Sequence, residues 1–288
     1  MAAAAIPAVL VEAALYLMPG FALFRERFAR IPSKWTQGAW LWLAAMLPFL
    51  IYSIGTGCFT LKAFGLLAAI AAVLSFWYVV IDGADITLLA VVAAVMLSDA
   101  FKTIYPQLAP KATVNIIGQL MLIRTFAFAL FCIRKHALVG FGFWPSRRDW
   151  IVGLRQFAYF IPVGFVLAYL TQFTAFRPLL WDKMIPAFLL TFLGMLWVVA
   201  LSEELFFRGV LQTYLERITG NQWVGLVIAS VLFGMVHLPF RAFPNWKFMI
   251  MAAAAGLFYG RAFQETGSIR SGMVTHALVA TTWRVFLT

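Results

Sequence analysis

The stretch from Met184 to Arg208 reads MIPAFLLTFLGMLWVVALSEELFFR. From Met184 to Ser202 it contains no acidic or basic residue, and a run of roughly 20 apolar residues can cross a bilayer as a helix. Glu203 and Glu204 follow directly. A carboxylate is costly at membrane depth, so an ionisable residue kept there is a candidate for function. The stretch therefore predicts a membrane-spanning helix that carries two acidic side chains at its end.

The whole chain has the composition of a protein that crosses a membrane several times. Of its 288 residues, 64% are hydrophobic and 11% are charged, whereas soluble domains carry about 25% charged residues. We predict an all-α, polytopic transmembrane bundle of about ten spans, within a range of about eight to ten. The charge-free runs are 35–61, 63–81, 156–176, 184–202 and 218–240, and the shorter apolar runs are 86–98, 112–123, 125–133, 248–260 and 271–283.

The net charge of +11 is explained by the membrane rather than by a nucleic-acid partner. Lys and Arg concentrate in the cytoplasmic loops of membrane proteins, so we expect the basic clusters to share the cytoplasmic face. The sequence predicts an integral protein of the plasma (inner) membrane, if the source is bacterial, with membrane lipids around it. The clusters are Arg25 to Lys34, Arg134 to Arg148, Arg208 to Arg217, and Arg261 to Arg270.

A basic, aromatic segment divides the chain. Residues 134–150 read RKHALVGFGFWPSRRDW, a composition typical of a segment at the membrane interface. We expect an N-terminal transmembrane region at residues 1–133, whose role the sequence does not indicate. The C-terminal region, residues 151–288, holds all the candidate site residues described below.

Arg124 lies inside an apolar stretch of the N-terminal region. A buried arginine needs a partner, and Glu12 and Asp99 are the acidic candidates. A structural salt bridge is the favoured interpretation, and a separate path for an ion or a substrate is the alternative.

The two adjacent glutamates should play different parts. On an α-helix that turns about 100° per residue, Arg208 lies about 40° from Glu204 but about 140° from Glu203. Glu204 and Arg208 are an i, i+4 pair in the favourable order, with the glutamate first. We therefore expect Glu204 to be neutralised within its own helix, and Glu203 to be free to act as a general base.

Two further candidates are histidines in apolar surroundings. His237 ends the sequence FGMVH that begins at Phe233, so the two residues share a helix face, and Pro239 should end or bend that helix. His276 lies in the last apolar run. A carboxylate and two imidazoles could activate a water and bind a developing oxyanion. They could also form a polar packing network, line a transport path, or hold a catalytic Zn²⁺ through His237, His276 and Glu203.

At these residues the chain resembles the CPBP family, which comprises the type II CAAX prenyl endopeptidases and the bacterial bacteriocin-processing and immunity (Abi) proteins. The sequence SEELFFRGVLQ, from Ser202 to Gln212, is similar to the family's first motif. Phe233 with His237, and His276 in the final helix, resemble the second and third. The resemblance covers roughly residues 138–288 and implies an intramembrane protease domain over residues 151–288.

The resemblance implies a role for each site residue. Glu203 with His237 would activate the water that hydrolyses a peptide bond, and His276 would help to form the oxyanion site. Glu204 would be held by Arg208, with Phe233 as a supporting residue. The family is described as glutamic, without an obligatory metal, so no cofactor is expected, and zinc is the alternative. The implied substrate is a membrane-associated, possibly lipidated peptide or protein, and the implied site opens towards the cytoplasm, near residues 208–220.

The chain departs from the family pattern at one position. Members commonly carry Asn or Asp four residues after the last histidine, where this chain has Ala280. The hydroxyl of Thr281 or Thr282, or a backbone N–H, could supply the missing donor. Loss of one oxyanion donor typically costs about 10²–10³ in rate, so a weak or inactive member is compatible with the sequence. A non-enzymatic immunity or transport protein is the remaining alternative.

Overall fold

A computed structural model describes residues 2–81, 83–107, 114–137, 139–174, 181–240 and 243–287. The described residues form helices joined by short connections, and no β-strand occurs among them. The predicted all-α class is therefore confirmed. The chain divides into two compact units, Met1–Ala137 and Leu138–Thr288, with the division inside the predicted interfacial segment, residues 134–150.

The N-terminal unit contains seven α-helices among its described residues. A π-helical segment, Ala129–Ile133, continues the last of them and joins the apolar runs on either side of Arg124 into one helix. The first helix is followed by a bend of 83°. The helices are α1 (Ile6–Leu17), α2 (Ala22–Ala29), α3 (Lys34–Thr56), α4 (Leu61–Val80), α5 (Asp85–Leu97), α6 (Ala100–Ile104) and α7 (Ile116–Phe128).

The C-terminal unit also contains seven α-helices among its described residues. Two π-helical segments, Met195–Ala200 and Leu205–Gln212, flank the short helix that carries both glutamates and make one continuous helical rod from α9 to α11. The helices are α8 (Arg147–Thr171), α9 (Trp181–Gly194), α10 (Leu201–Glu204), α11 (Thr213–Thr219), α12 (Gln222–Met235), α13 (Trp246–Thr266) and α14 (Ile269–Phe286).

Several of these helices are suited to a membrane. Five are long and apolar enough to cross one by length and composition, and the bent α1–α2 pair is a sixth candidate. Two shorter apolar helices are α5 and α12. An integral membrane protein is thus indicated, while the number of about ten spans stays a prediction. The five candidates are Lys34–Thr56, Leu61–Val80, Ile116–Ile133, Arg147–Thr171 and Met184–Thr219.

Arg124, a buried charge of the N-terminal unit, forms the salt bridge that the sequence analysis favoured, and its partner is Glu12. Arg124 donates through Nε and Nη2 to both oxygens of Glu12, at 2.6 and 3.1 Å. Its Nη2 also donates to the carbonyl oxygen of Ala44. Asp99 instead lies on the surface with Lys102. The salt bridge between α1 and α7 therefore neutralises the two charges inside an apolar bundle.

One end of the C-terminal unit, here called the Asn221 end, contains the connection between α11 and α12, the connection between α13 and α14, and the start of α8. Asn221 caps α12 through its side chain, and Ser268 caps α14 just after the left-handed Gly267 that ends α13. Ser146 and Asp149 form a capping box at the start of α8. These polar caps satisfy the free N–H groups at helix starts, and an ion pair between Asp149 and Arg270 ties α8 to α14.

The opposite end of the unit, here called the Phe240 end, is aromatic. Phe248 at the start of α13 lies 4.6 Å from the ring of Trp283, near the end of α14. Phe173, just beyond α8, contacts both of these rings at 5.5 and 5.0 Å. The ring of Phe240, in the connection between α12 and α13, lies 4.8 Å from Phe248. The two ends of the unit therefore differ in chemistry, with polar caps at one and aromatic rings at the other.

Breaking the salt bridge should destabilise the N-terminal unit. In Arg124→Ala, Glu12 would stay buried without its cation, and we expect the free energy of unfolding to fall by about 3–5 kcal/mol. The double replacement Glu12→Leu with Arg124→Met should recover most of that loss, because neither charge is then buried. Thermal unfolding of the purified protein in detergent, followed by tryptophan fluorescence, measures both effects.

Lys102→Ala is the matched control, because it removes a cation from an exposed pair in the same unit. Exposed pairs contribute little to stability, so its melting temperature should match that of the parent. Equal melting of Arg124→Ala and Lys102→Ala would contradict a stabilising role for the buried pair.

Candidate active site

The centre of the site is a fully buried ion pair. Arg208 donates from Nη1 to Oε1 of Glu204 at 3.1 Å, and both side chains are 0% exposed. Their i, i+4 spacing is the one on which the sequence argument rested. Arg208 lies in a π-helical segment rather than in the α-helix assumed from the sequence. Its burial also means that Arg208 does not contribute to a basic surface cluster, contrary to the sequence prediction.

Arg208 is held by contacts beyond its own helix. Its Nη2 donates to the carbonyl oxygen of Gly256 on α13 at 2.9 Å. The guanidinium carbon lies 4.7 Å from the centre of the Phe233 ring and 5.4 Å from that of Tyr259. A cation over an aromatic face is attracted by the ring. The pair is therefore fixed against α12 and α13 as well as within its own rod.

His276 lies between the two glutamates. Its Nδ1 is 2.9 Å from Oε1 of Glu204, and its Nε2 is 3.7 Å from Oε2 of Glu203. A carboxylate can only accept a hydrogen bond, so Nδ1 carries the proton when Glu204 is ionised. The imidazole also stacks on the ring of Tyr259, with 4.5 Å between centroids and 11° between planes. Glu204 and Tyr259 together set the orientation of this histidine.

Glu203 is the exposed member of the acidic pair. Its side chain is 30% exposed, whereas the side chain of the next residue, Glu204, is fully buried. Its Oε2 makes no hydrogen bond within the described part of the chain. Because successive helical residues point in different directions, Glu204 faces the interior of the bundle while Glu203 borders a cavity.

His237 lies just outside the helix on which the sequence had placed it. Helix α12 ends at Met235, and residues 236–239 form a turn. The Nδ1 of His237 is 2.8 Å from the carbonyl oxygen of Phe233. Since a carbonyl only accepts, Nδ1 is the donor, and Nε2 of the neutral ring keeps a free lone pair. The rings of Phe233 and Phe248 enclose His237 at 4.9 and 4.7 Å.

These residues share one cavity of about 590 Å³. The three groups predicted to do chemistry, Glu203, His237 and His276, all line it, and Phe233 lies between the two imidazoles. Its remaining wall is mainly apolar. The other lining residues are Met195, Val199, Phe240, Phe248, Met251, Ala252, Ala255, Tyr259, Val279, Ala280, Trp283, Arg284 and Leu287.

The lining residues give the cavity a direction. From Glu203 and His276 it extends to Phe240, Trp283 and Leu287, which belong to the Phe240 end. The connection between α11 and α12 lies at the Asn221 end. The sequence had placed residues 208–220 on the cytoplasmic side and the opening of the site beside them. The two expectations cannot both be correct, because the cavity extends in the direction opposite to the connection between α11 and α12.

The family assignment rests on a sequence comparison. Residues 185–282 match the family described as type II CAAX prenyl endopeptidase, Rce1-like. These residues, which are less than half of the chain, are similar to the Rce1-like family. The matched family is one of CAAX-type intramembrane peptidases, and the matched stretch includes Glu203, Glu204, His237 and His276. The resemblance predicted from the sequence is confirmed over this part of the chain.

The comparison with curated proteins adds one relative of unknown activity. An 82-residue segment is 33% identical to the uncharacterized protein YpbD of Bacillus subtilis, covering 28% of this chain and 38% of YpbD. The chain therefore matches well under half the length of that relative. No solved structure matches the chain.

Ala280 occupies the position at which the family pattern commonly has Asn or Asp, and Thr281 and Thr282 are the threonines suggested as substitutes. Ala280 lines the cavity one helical turn after His276, where it offers no polar side-chain atom. Thr281 is fully buried, does not line the cavity, and its hydroxyl has no hydrogen-bond partner within the described residues. Thr282 faces a neighbouring apolar cavity of about 290 Å³. Neither threonine is therefore among the described residues that line the cavity of the site.

Three residues of the site carried no signal in the sequence. Tyr259 stacks on His276, Gly256 supplies the carbonyl that holds Arg208, and Gly272 packs against Glu204. A Cβ on Gly272 would lie 2.7 Å from Oε2 of Glu204. Their importance comes from close approach between helices, which the order of residues within one helix does not reveal.

The alternative zinc site was predicted at His237, His276 and Glu203. Within the described parts of the chain, no three His, Cys, Asp or Glu side chains are arranged so that they could hold a metal ion. The ring nitrogen of His276 nearest to Glu203 lies 3.7 Å from its carboxylate.

Gly272→Ala tests the packing around Glu204. The new Cβ would lie too close to the carboxylate and 3.2 Å from the carbonyl oxygen of Tyr259. We expect a loss of about 1–3 kcal/mol in the free energy of unfolding, as for other overpacked interiors, measured as a lower melting temperature in detergent. Gly194→Ala is the control, because its Cβ would meet no described atom within 4 Å other than those of its chain neighbours and its own helix backbone.

Gly194→Ala should melt at the parent temperature or above it, since alanine favours a helix over glycine. If both variants melted at the parent temperature, the close packing of Gly272 against Glu204 would be contradicted.

Proposed function

We propose that the chain is an intramembrane endopeptidase that hydrolyses a peptide bond of a membrane-associated substrate inside the 590 Å³ cavity. The observation that carries the proposal is the pair of adjacent carboxylates with opposite environments. Glu204 is fully buried and its Oε1 contacts Arg208 and His276, whereas the side chain of Glu203 is 30% exposed and borders the cavity. Such a carboxylate is available to take a proton from water.

Glu203 and His237 activate the water in the proposed mechanism. The ionised carboxylate of Glu203 accepts one proton, while the free Nε2 lone pair of His237 accepts a hydrogen bond from the same water. The resulting hydroxide attacks the carbonyl carbon of the scissile bond. The hydrogen bond from His237 to the Phe233 carbonyl supports this role, because it fixes the tautomer that leaves Nε2 unprotonated.

His276 stabilises the oxyanion of the tetrahedral intermediate. With Nδ1 donating to Glu204, an imidazolium would present its Nε2–H towards the cavity, next to Glu203. Ala280 supplies no second donor from its side chain, and one missing donor typically costs about 10²–10³ in rate. When the intermediate collapses, the C–N bond breaks and the proton held by Glu203 passes to the leaving amine. Glu203 is thereby returned to its ionised form.

No step of this mechanism requires a metal, so we propose a cofactor-free peptidase. The substrate class follows from the surroundings. The cavity wall is mainly apolar and lies in a bundle of helices suited to lipid. A peptide that is itself anchored in the membrane, through an apolar segment or an attached lipid, would reach the cavity at the right depth.

Glu203→Gln should abolish cleavage and leave the fold intact, because glutamine keeps the size of the side chain but cannot accept the proton. The measurement is comparative mass spectrometry of peptide termini in membranes from cells that express the parent or the variant at equal levels. We expect new termini in membrane-associated proteins that depend on Glu203. Glu26→Gln, an exposed glutamate in α2, is the control and should behave like the parent.

Full cleavage by Glu203→Gln would overturn the assignment of the base. Loss of activity on chelation, with about one Zn²⁺ bound per chain, would favour the zinc alternative. If no termini depended on Glu203 and proteoliposomes showed a solute flux that did, the protein would be a transporter.

The second part of the proposal is that the cavity opens to the cytoplasm, which would place the Phe240 end on that side. The charges of the C-terminal region do not decide the matter. Arg147, Arg148, Arg155, Arg217, Arg261 and Arg270 lie near the Asn221 end, and Lys247 and Arg284 lie near the Phe240 end. The sequence also contains Arg177, Lys183 and Arg241, whose side chains lie outside the described part of the structure.

Two cysteine variants test the orientation. Phe243 and Ile218 are 77% and 57% exposed and lie near the Phe240 and Asn221 ends, respectively. In intact cells, a membrane-impermeant maleimide should label Ile218→Cys but not Phe243→Cys, which should react only after permeabilisation. The unsubstituted protein, with Cys58 and Cys132, gives the background. The reverse pattern would mean that the cavity opens to the outside.

A further inference from the structure

The wall of the cavity contains a basic side chain to which the chemistry above gives no role. Among the described residues that line the cavity, Arg284 is the only Lys or Arg. It lies in the last turn of α14, and its side chain is exposed. Most of the wall around it is apolar, including Trp283, Val279 and Leu287. A permanent positive charge in a mainly apolar wall attracts an anionic group of a molecule that enters the cavity.

The position of Arg284 on its helix ties it to the reaction centre. His276, Ala280 and Arg284 are spaced at i, i+4 and i+8, and all three line the cavity. Residues at this spacing lie along one face of an α-helix. At about 1.5 Å per residue, Arg284 lies about 12 Å from His276 along the axis, in the direction of the Phe240 end.

Arg284 makes no ion pair or side-chain hydrogen bond with any described residue. A cation in the last turn also suits the negative end of the helix dipole. That effect accounts for a positive charge at this point of the sequence. It does not account for a guanidinium that borders the reaction cavity without bonding the final carbonyls of its helix.

We propose that Arg284 is a specificity-determining residue that binds a carboxylate of the substrate peptide. This inference rests on the proposed function and adds the substrate feature that the site selects. The planar guanidinium can bind a carboxylate through two parallel hydrogen bonds. Glu203, at the other end of the cavity, repels an anion, so the two charges together orient the peptide with its anionic group towards the Phe240 end.

The distance sets where the carboxylate must be. An extended peptide advances about 3.4 Å per residue, and the guanidinium lies about 12 Å along α14 from the reaction centre. The carboxylate should therefore lie about two to four residues from the bond that is cleaved. Either the free C-terminus or an acidic side chain at that spacing could supply it.

Binding to the full-length Glu203→Gln protein in phosphatidylcholine nanodiscs tests the proposal without relying on turnover. Three dansyl-labelled apolar hexapeptides serve as probes. One has a free C-terminal carboxylate, one has a C-terminal carboxamide, and the third has the carboxamide and an internal glutamate. We expect at least one carboxylate peptide to bind about tenfold more tightly than the plain carboxamide, the lower part of the range for a hydrogen bond to a charged group.

Variants at Arg284 assign the preference to this side chain. The preference should disappear when Arg284→Gln is added and be partly kept with Arg284→Lys, which retains the charge. Lys247→Gln is the matched control, because it removes an exposed cation at the same end of the unit from a residue that does not line the cavity. It should leave the preference unchanged.

The outcomes separate this inference from the proposed function. Equal binding of all three peptides, no binding of any, or a preference that survives Arg284→Gln would overturn the carboxylate subsite. A preference that disappears when phosphatidylglycerol replaces part of the neutral lipid would also overturn it, because Arg284 would then hold a lipid phosphate. Cleavage by the parent that depends on Glu203 would still support the peptidase, and its absence would overturn the peptidase alone.

Discussion

The shared oxygen of Glu204 is the constraint on which the C-terminal unit depends. Oε1 accepts from Arg208 on one side and lies within hydrogen-bond distance of His276 on the other. These contacts join the rod that contains α10 to α14, and the bond from Arg208 to Gly256 adds α13. A buried carboxylate, guanidinium and imidazole are tolerated only together, because removing one leaves the others without compensation. The packing of three helices and the orientation of one histidine therefore follow from a single charge.

The adjacent glutamate is freed by the same arrangement. With Glu204 bound to Arg208 and next to His276, the proposed base, Glu203, has no Lys or Arg partner among the described residues. Its Oε2 lies 3.7 Å from Nε2 of His276, which is longer than a hydrogen bond. Neighbouring residues of one type thus have separate tasks, one structural and one proposed to be chemical. The helix produces this division simply by turning successive side chains in different directions.

The sequence predicted what is local and missed what depends on how helices approach one another. The all-α class follows from apolar runs, and the contact between Glu204 and Arg208 follows from their spacing within one chain segment. The contact between Glu204 and His276 joins residues 72 positions apart, so no periodicity indicates it. The position of His237 was missed by two residues because Pro239 marks a helix end only approximately. Tyr259 and Gly272 act through interhelical packing, and the direction of the cavity depends on which helix ends meet.

The π-helical segments on either side of Leu201–Glu204 affect how this region can vary between related genes. A π-turn accommodates one more residue than an α-turn in the same stretch of helix. A single-codon deletion within Met195–Ala200 or Leu205–Gln212 could be absorbed by conversion to regular α-helix, with the flanking side chains kept in place. The four-residue α10 is a regular α-helix without an extra residue. The same deletion inside it would rotate one carboxylate out of its position. Length variation among descendants of this gene should therefore accumulate beside the acidic pair and avoid the pair itself.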